Sequence, residues 1–270
     1  MKHTFVRAAL AAAAMVLPFA AQAHKMWIVP SATVVSSDDA LVTVDAAVSN
    51  DLYYPDHFPA QLDNLTITAP DGSQVKPENP WTGKVRSAFD LPVPQKGTYR
   101  IALVNQGLFA NYEVDGQKKR WRGKPDEMKA GIPANAKNVQ VSEMASRVET
   151  FVTQGKPGGD ALKPTGKGLE LVPVTQPNDM VTGEKATFQL LLDGKPAADL
   201  KVTAIAGATR YRNTQDEQDT QTDKEGRFSF TFANAGMYWV NASTEDTKTT
   251  VKEAKQRRVA YTATLEVLPQ

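Results

Sequence analysis

Short runs of alternating or β-branched residues recur along the chain, separated by Gly, Pro and Asp, which is the pattern of strands joined by tight turns. Ala40 to Val48 and Asn64 to Thr68 are such runs. The second leads into Pro70-Asp71-Gly72 and then Val75, which predicts a hairpin. Val85 to Val93 alternates in part, and Lys96-Gly97 precedes the strand-like Thr98 to Val104. Asp115-Gly116 separates Ala110–Val114 from Lys118–Arg122, a second hairpin. Asn138 to Gln154 reads mainly as strand, with a helical turn over Ser142 to Arg147 as the alternative; Asp126 to Ala130 is the other candidate helix.

Residues Gly155 to Gly168 read GKPGGDALKPTGKG, and this concentration of glycine and proline marks the best domain boundary. Beyond it, strand patterns at Leu169–Val174, Lys185–Leu192, Leu200–Ile205, Arg227–Phe232, Met237–Ala242 and Ala260–Leu268 follow one another with turn signals at Asp193-Gly194-Lys195-Pro196 and Asp223-Lys224-Glu225-Gly226. About seven short strands in about 100 residues fit an immunoglobulin-like sandwich. The expected fold class is therefore all-β with two sandwich domains, residues 24–154 and an immunoglobulin-like 169–270, joined by a linker at 155–168. No internal repeat is evident.

The first residues carry no strand pattern. Lys2 and Arg7 form a basic start, Ala8 to Leu17 a short apolar stretch, and Ala21-Gln22-Ala23 a small-residue cleavage site. Met1–Ala23 is thus expected to be a signal peptide, with the mature chain beginning at His24 in the periplasm. The apolar stretch is too short to span a bilayer, and no other run is long enough, so the chain is not expected to be embedded in a membrane. Loss of Lys2 and Arg7 turns the formal charge of +1 into −1. A balance this even lacks the basic excess that phosphate binding needs, which argues against a nucleic-acid partner. There is no cysteine, so disulfides, thiol nucleophiles and Cys-ligated metal centres are excluded together.

Candidate chemistry then narrows to histidine. Cleavage after Ala23 gives His24 a free α-amino group beside its imidazole, two nitrogens able to chelate one metal ion. The mature chain has one other histidine, His57, within Ser49-Asn50-Asp51-Leu52-Tyr53-Tyr54-Pro55-Asp56-His57-Phe58-Pro59. Amine and two imidazoles make a three-nitrogen set suited to Cu(II) or Ni(II), with Asp56 as a fourth ligand, Met26 as a soft one, and Tyr53 and Tyr54 as supporting groups. The competing reading is that His57 is an ordinary loop residue and that Tyr53, Tyr54 and Phe58 pack. The acidic stretch Asp216 to Glu225 lacks the spacing of a calcium loop. Lys118-Lys119-Arg120-Trp121-Arg122 reads as a charged edge strand that discourages sheet-to-sheet pairing, and Lys252 to Arg258 as basic surface. No phosphate loop, dinucleotide fingerprint or Ser/His/Asp set is present.

His24-Lys25-Met26-Trp27-Ile28-Val29-Pro30, the loop Ser49 to His57, Gly168-Leu169-Glu170-Leu171-Val172-Pro173, and the turn Asp193 to Pro196 followed by Thr222 to Phe228 resemble the DUF4198 family over essentially the whole mature chain. The resemblance implies an exported β-rich protein associated with nickel or other transition-metal uptake, or with TonB-dependent systems. On this reading the chain is a non-enzymatic accessory that captures a metal ion or metal complex and delivers it to a membrane transporter. The alternatives are a copper-dependent oxidative enzyme built on the N-terminal histidine, and a non-catalytic adhesion or envelope-assembly module.

Overall fold

The computed structural model describes residues 24–270, and the expected signal peptide lies outside the described residues. The first half forms β1 (Lys25–Pro30), β2 (Leu41–Ser49), β3 (Leu65–Thr68), β4 (Glu78–Thr82), β5 (Ser87–Pro92), β6 (Gly97–Val114), β7 (Gln117–Gly123) and β8 (Lys137–Gln154). The second half forms β9 (Leu169–Pro173), β10 (Lys185–Leu192), β11 (Lys201–Ala206), β12 (Gln218–Gln221), β13 (Arg227–Thr231), β14 (Gly236–Asp246) and β15 (Ala254–Val267). The α-helical segment Met128–Gly131 is a single turn.

The protein is all-β. In the first half, a sheet ordered β1-β2-β5-β4 faces the β3-β6-β8 part of a ten-stranded sheet. Ile28, Val42, Val44, Phe89 and Leu91 from the first layer meet Ile67, Tyr99, Ile101, Leu103, Val148 and Val152 from the second. In the second half, β9, β10 and β13 face β12-β11-β14-β15, the other part of the same ten-stranded sheet. Its core sets Leu171, Phe188, Leu190, Phe228 and Phe230 against Val202, Val240, Tyr261, Ala263 and Leu265. Both halves divide their strands in the immunoglobulin-like way.

The likeness of the halves extends to one corner. Gly97-Thr98-Tyr99 opens β6, and Gly236-Met237-Tyr238 opens the equivalent β14, with both glycines at positive φ, +125° and +137°. The Tyr99 hydroxyl accepts from the Gln95 N–H at 2.8 Å, and the Tyr238 hydroxyl donates to the Asn234 carbonyl at 2.8 Å. Each tyrosine thereby ties its strand to the residue four positions upstream, the tyrosine corner of immunoglobulin-like sandwiches. At Gly97 any Cβ would lie 2.6 Å from the Pro70 Cβ, so a side chain is excluded by contact as well as by φ. The repeat is architectural, carried by so few residues that the sequence does not display it.

The halves meet along the ten-stranded sheet. β8 pairs in parallel with β15 from Val141↔Ala254 to Thr150↔Thr264. Because successive side chains on β8 point to opposite faces, Val148 and Val152 enter the first core while Phe151 enters the second. The residues Ser142 to Arg147 are strand rather than the alternative helical turn, since they are paired on both sides, with β6 and with β15. The run Thr98–Val104 proves to be the start of an 18-residue strand.

The segment 155–168 is packed rather than free. Ala161 and Leu162 are buried. The Arg100 guanidinium donates to the carbonyls of Lys163, Leu162 and Leu171 at 3.0–3.3 Å. The Glu170 carboxylate accepts from the N–H groups of Thr165, Gly166 and Lys167 at 2.7–3.2 Å. Beneath them, buried Glu149 lies 3.7 Å from Arg100 and 3.6 Å from Arg147, and accepts the Tyr261 hydroxyl at 2.6 Å. Burial, reinforced by the Glu149 charge, pushes the Tyr261 phenol well above its ordinary value.

Candidate functional site

The end of β2 is where the two histidines meet. β1 pairs with one edge of β2, Lys25 opposite Ser49, which sets His24 at the sheet end beside Asn50. Phe58–Pro59 pairs with the other edge at Val48 and Ala47 and brings His57 to the same end. The imidazoles of His24 and His57 stack with centroids 3.7 Å apart and planes inclined by 28°. The Phe58 ring lies edge-on, 4.1 Å from His57 and 6.3 Å from His24. Two histidines 33 positions apart in sequence are therefore in contact, on an accessible surface.

The loop is held by specific contacts. Trp27 Nε1 donates to Ser49 Oγ at 2.7 Å, and that hydroxyl donates to the Asp51 carbonyl at 2.5 Å. The Asp56 carboxylate accepts from the Asn50 N–H at 3.1 Å, closing the loop across its mouth. This is where the structure places Asp56: it orients the loop that carries His57. Among the described residues no three His, Asp or Glu side chains converge into a group that could hold a metal, so the side-chain donors at this point are the two imidazoles. The thioether-bearing Met26 packs against the first core, and its carbonyl accepts from Trp239 Nε1 at 3.0 Å.

Tyr53 is packed rather than offered to a ligand. It sits at φ +63°, a left-handed conformation that costs a bulky residue on the order of 1–3 kcal/mol. Its ring contacts Trp27 edge-on at 5.7 Å and lies so close to Gly207 that a Cβ there would approach it to 3.0 Å. The hydroxyl is buried without a hydrogen-bond partner, and burial drives the phenol well above its usual value. Tyr54 is exposed, with the Arg210 guanidinium 3.9 Å from its ring centroid.

The second half braces this loop. Leu52 N–H donates to Thr209 Oγ1 at 2.9 Å, and Trp27, Leu52, Ile205 and Trp239 form one buried cluster. Arg212 fixes the bracing segment by donating to the carbonyls of Gly207, Ala206 and Gln215 at 2.6–3.1 Å. The Lys25 ammonium lies 5.8 Å from the Trp239 ring; burial lowers its pKa, with Glu217 and Asp51 opposing. Thr209, Arg210 and Trp239 lie more than 150 positions from the loop, and no local pattern links them to it.

The other candidate groups are occupied structurally. Asp219 is paired with Lys201 at 2.9 Å, Asp216 with Arg212 at 3.3 Å, and Asp223 Oδ1 accepts from the N–H groups of Glu225 and Arg227. The acidic stretch also contains strand β12. Within the basic stretch Lys252–Arg258, Arg257 is buried and grips Asp193 and Asp246, each at 2.6 Å.

A family model described as a domain of unknown function, DUF4198, matches residues 21–246. The chain belongs to the DUF4198 family. Its match contains both histidines, the loop and the bracing segment. No curated protein matches this DUF4198 chain in sequence. Among solved structures, it is similar to the D0–D1 domain of intimin at 12% identity and TM-score 0.21, over 89% of this chain and 97% of that one. It is also similar to dimeric latent PorU from Porphyromonas gingivalis at 13% identity and TM-score 0.24, over 93% and 21% of the respective chains. The two tandem V-type regions of VCBP3, a v-region-containing chitin binding protein, match at 12% identity and TM-score 0.20, over 88% and 98%. At such scores these likenesses carry no argument about function. No helix among the described residues is long and apolar enough to cross a membrane.

Proposed function

We propose that this DUF4198 protein is an exported, non-enzymatic metal-binding accessory that captures a transition-metal ion, copper or nickel, or its complex, and passes it to a membrane uptake system in the periplasm. The observation that carries this reading is the contact of His24 with His57 at 3.7 Å, since these are the only histidines outside residues 1–23. Cleavage after Ala23 would add the α-amino nitrogen of His24, completing a three-nitrogen set. Stacked rings do not aim two nitrogens at one ion. Binding therefore requires the imidazoles to turn edge-on, a side-chain rotation open to groups at a surface. Asp56 serves by holding the loop, and Trp27 and Trp239 hold the first strand at the other edge.

The test is calorimetric titration of Cu(II) and Ni(II) into protein whose first residue is confirmed as His24. A one-to-one complex should form, weakened at least a hundredfold by His24→Ala and by His57→Ala, and also when an extra residue precedes His24. Equal affinity in the double variant would overturn the reading. A second reading, a copper-dependent oxidative enzyme acting on a glycan, is favoured by the exposed aromatic ring of Phe58 against both histidines. It requires peroxide-dependent glycan oxidation by the copper-loaded protein, abolished by His57→Ala.

A further inference from the structure

Beyond the register at which β3 pairs with Leu103, β6 and β8 leave the first sandwich and continue together as a ribbon, widened by β7. Eleven residues of β6, from Val104 to Val114, lie in this extension, a length of about 35 Å at the rise of an antiparallel strand; as far as Val141 their β8 partners are also paired with β15, and Asn111 to Val114 reach beyond that strand. The ribbon has its own small core, in which Leu108, Ala110, Val141 and Ala254 are covered by Trp121, Met128, Ile132 and Val251. At its base, Asn64, the last residue before β3, hydrogen-bonds to Asn105.

β7 is the outer strand of this ribbon and pairs only with β6 among the described residues. Every second residue of such an edge presents an unpaired N–H and C=O. Four of its seven residues are basic, and alternation sets Lys118, Arg120 and Arg122 on one face, while Trp121 turns into the ribbon core. None of these exposed cations makes an ion pair among the described residues, in a molecule whose buried and half-buried arginines are paired. Two copies of this edge joined antiparallel would set Lys and Arg against Lys and Arg, which is destabilising. The same row attracts a strand of opposite charge. An added strand places its side chains about 5 Å from those of β7, and its residues on one face recur at the same two-residue spacing as Lys118, Arg120 and Arg122.

We propose that β7 is a strand-addition site for an extended acidic segment of a partner protein, one with Asp or Glu at three alternate positions. Backbone hydrogen bonds along the edge supply the pairing, and the row of three cations selects the partner and its register. The polar side chains of Asn111 and Gln140, directly across the ribbon from Arg120, extend the receiving face.

The test is fluorescence anisotropy with the purified protein and three labelled nine-residue peptides. One alternates Glu with Thr and Val, the second has the same composition with its Glu residues contiguous, and the third is the alternating peptide with alternate backbone amides N-methylated on the pairing edge. The alternating peptide should bind at least tenfold more tightly than either of the others, with affinity falling steeply with salt. Lys118→Glu/Arg120→Glu should abolish this preference, while Lys119→Glu, on the opposite face, should retain it. Equal binding of the alternating and contiguous peptides, or undiminished binding of the N-methylated one, overturns the proposal without any protein variant. Binding to phosphatidylglycerol vesicles with no preference among the peptides would assign the row to a membrane surface and overturn it equally.

Discussion

Arg257 shows how a residue that reads as basic surface can be structural. Its guanidinium bridges Asp193, in the turn after β10, and Asp246, at the end of β14, both at 2.6 Å. Hydrogen bonds from Arg257 are the chief cause that lowers both carboxyls below the usual 3.8. A depressed folded pKa contributes stability that is fully present above the unfolded value and is lost as pH falls below it. Arg257→Ala should therefore cost roughly 2 kcal/mol at neutral pH, by the usual worth of hydrogen bonds to charged groups. The gap between variant and wild type in urea unfolding should close as pH falls below 3.8 toward the folded pKa values. A gap independent of pH would assign the loss to packing. Tyr238→Phe is the neutral counterpart: loss of its bond to Asn234 should cost about 1 kcal/mol, a fall in Tm of about 2–4 °C.

Among the elements, strands with alternating cores were legible, and those held by distant polar groups were not. β2, β3, β10, β11 and β13 fall within two residues of the runs read from the sequence, because one face of each is apolar at alternate positions. β6 reads as two separate runs, Thr98–Val104 and Ala110–Val114, since Asn105-Gln106-Gly107 breaks the pattern where the strand leaves the core. β4 was missed because all five of its residues are exposed and impose no hydrophobic period. The histidine pair was legible as two residues and their loop, but its bracing by Thr209 and Trp239 depends on tertiary packing. The segment 155–168 carries the composition of a linker, yet two buried charges from elsewhere, Arg100 and Glu170, satisfy its backbone. Glu170→Ala should leave Arg147 under-compensated and three amides unpaired, a loss of about 3–5 kcal/mol. Hydrogen exchange should show the amides of Thr165, Gly166 and Lys167 opening first. Unchanged protection there would mean that Arg100 alone holds the segment.

At the scale of the whole molecule, the final strands of the two sandwiches are one parallel pair, and this determines how the halves respond together. Separating them would expose the edges of β8 and β15 over ten paired positions and unstack Trp27, Leu52 and Tyr53 from Ile205 and Trp239. Buried backbone groups left unpaired are costly, so neither half has an independent route to unfolding at low cost. Calorimetry should accordingly show one transition, with calorimetric and van't Hoff enthalpies equal and a heat-capacity change near 3–4 kcal/mol/K for residues 24–270. Trp239→Ala removes the indole that links the second sandwich to Met26 and should lower Tm by far more than a surface change, at about 3–5 kcal/mol. If the variant splits the transition in two, the indole cluster is the principal coupling. If it lowers a single transition intact, the parallel strand pair carries it. Two transitions in the wild type would show that the shared sheet joins the halves without making them one folding unit.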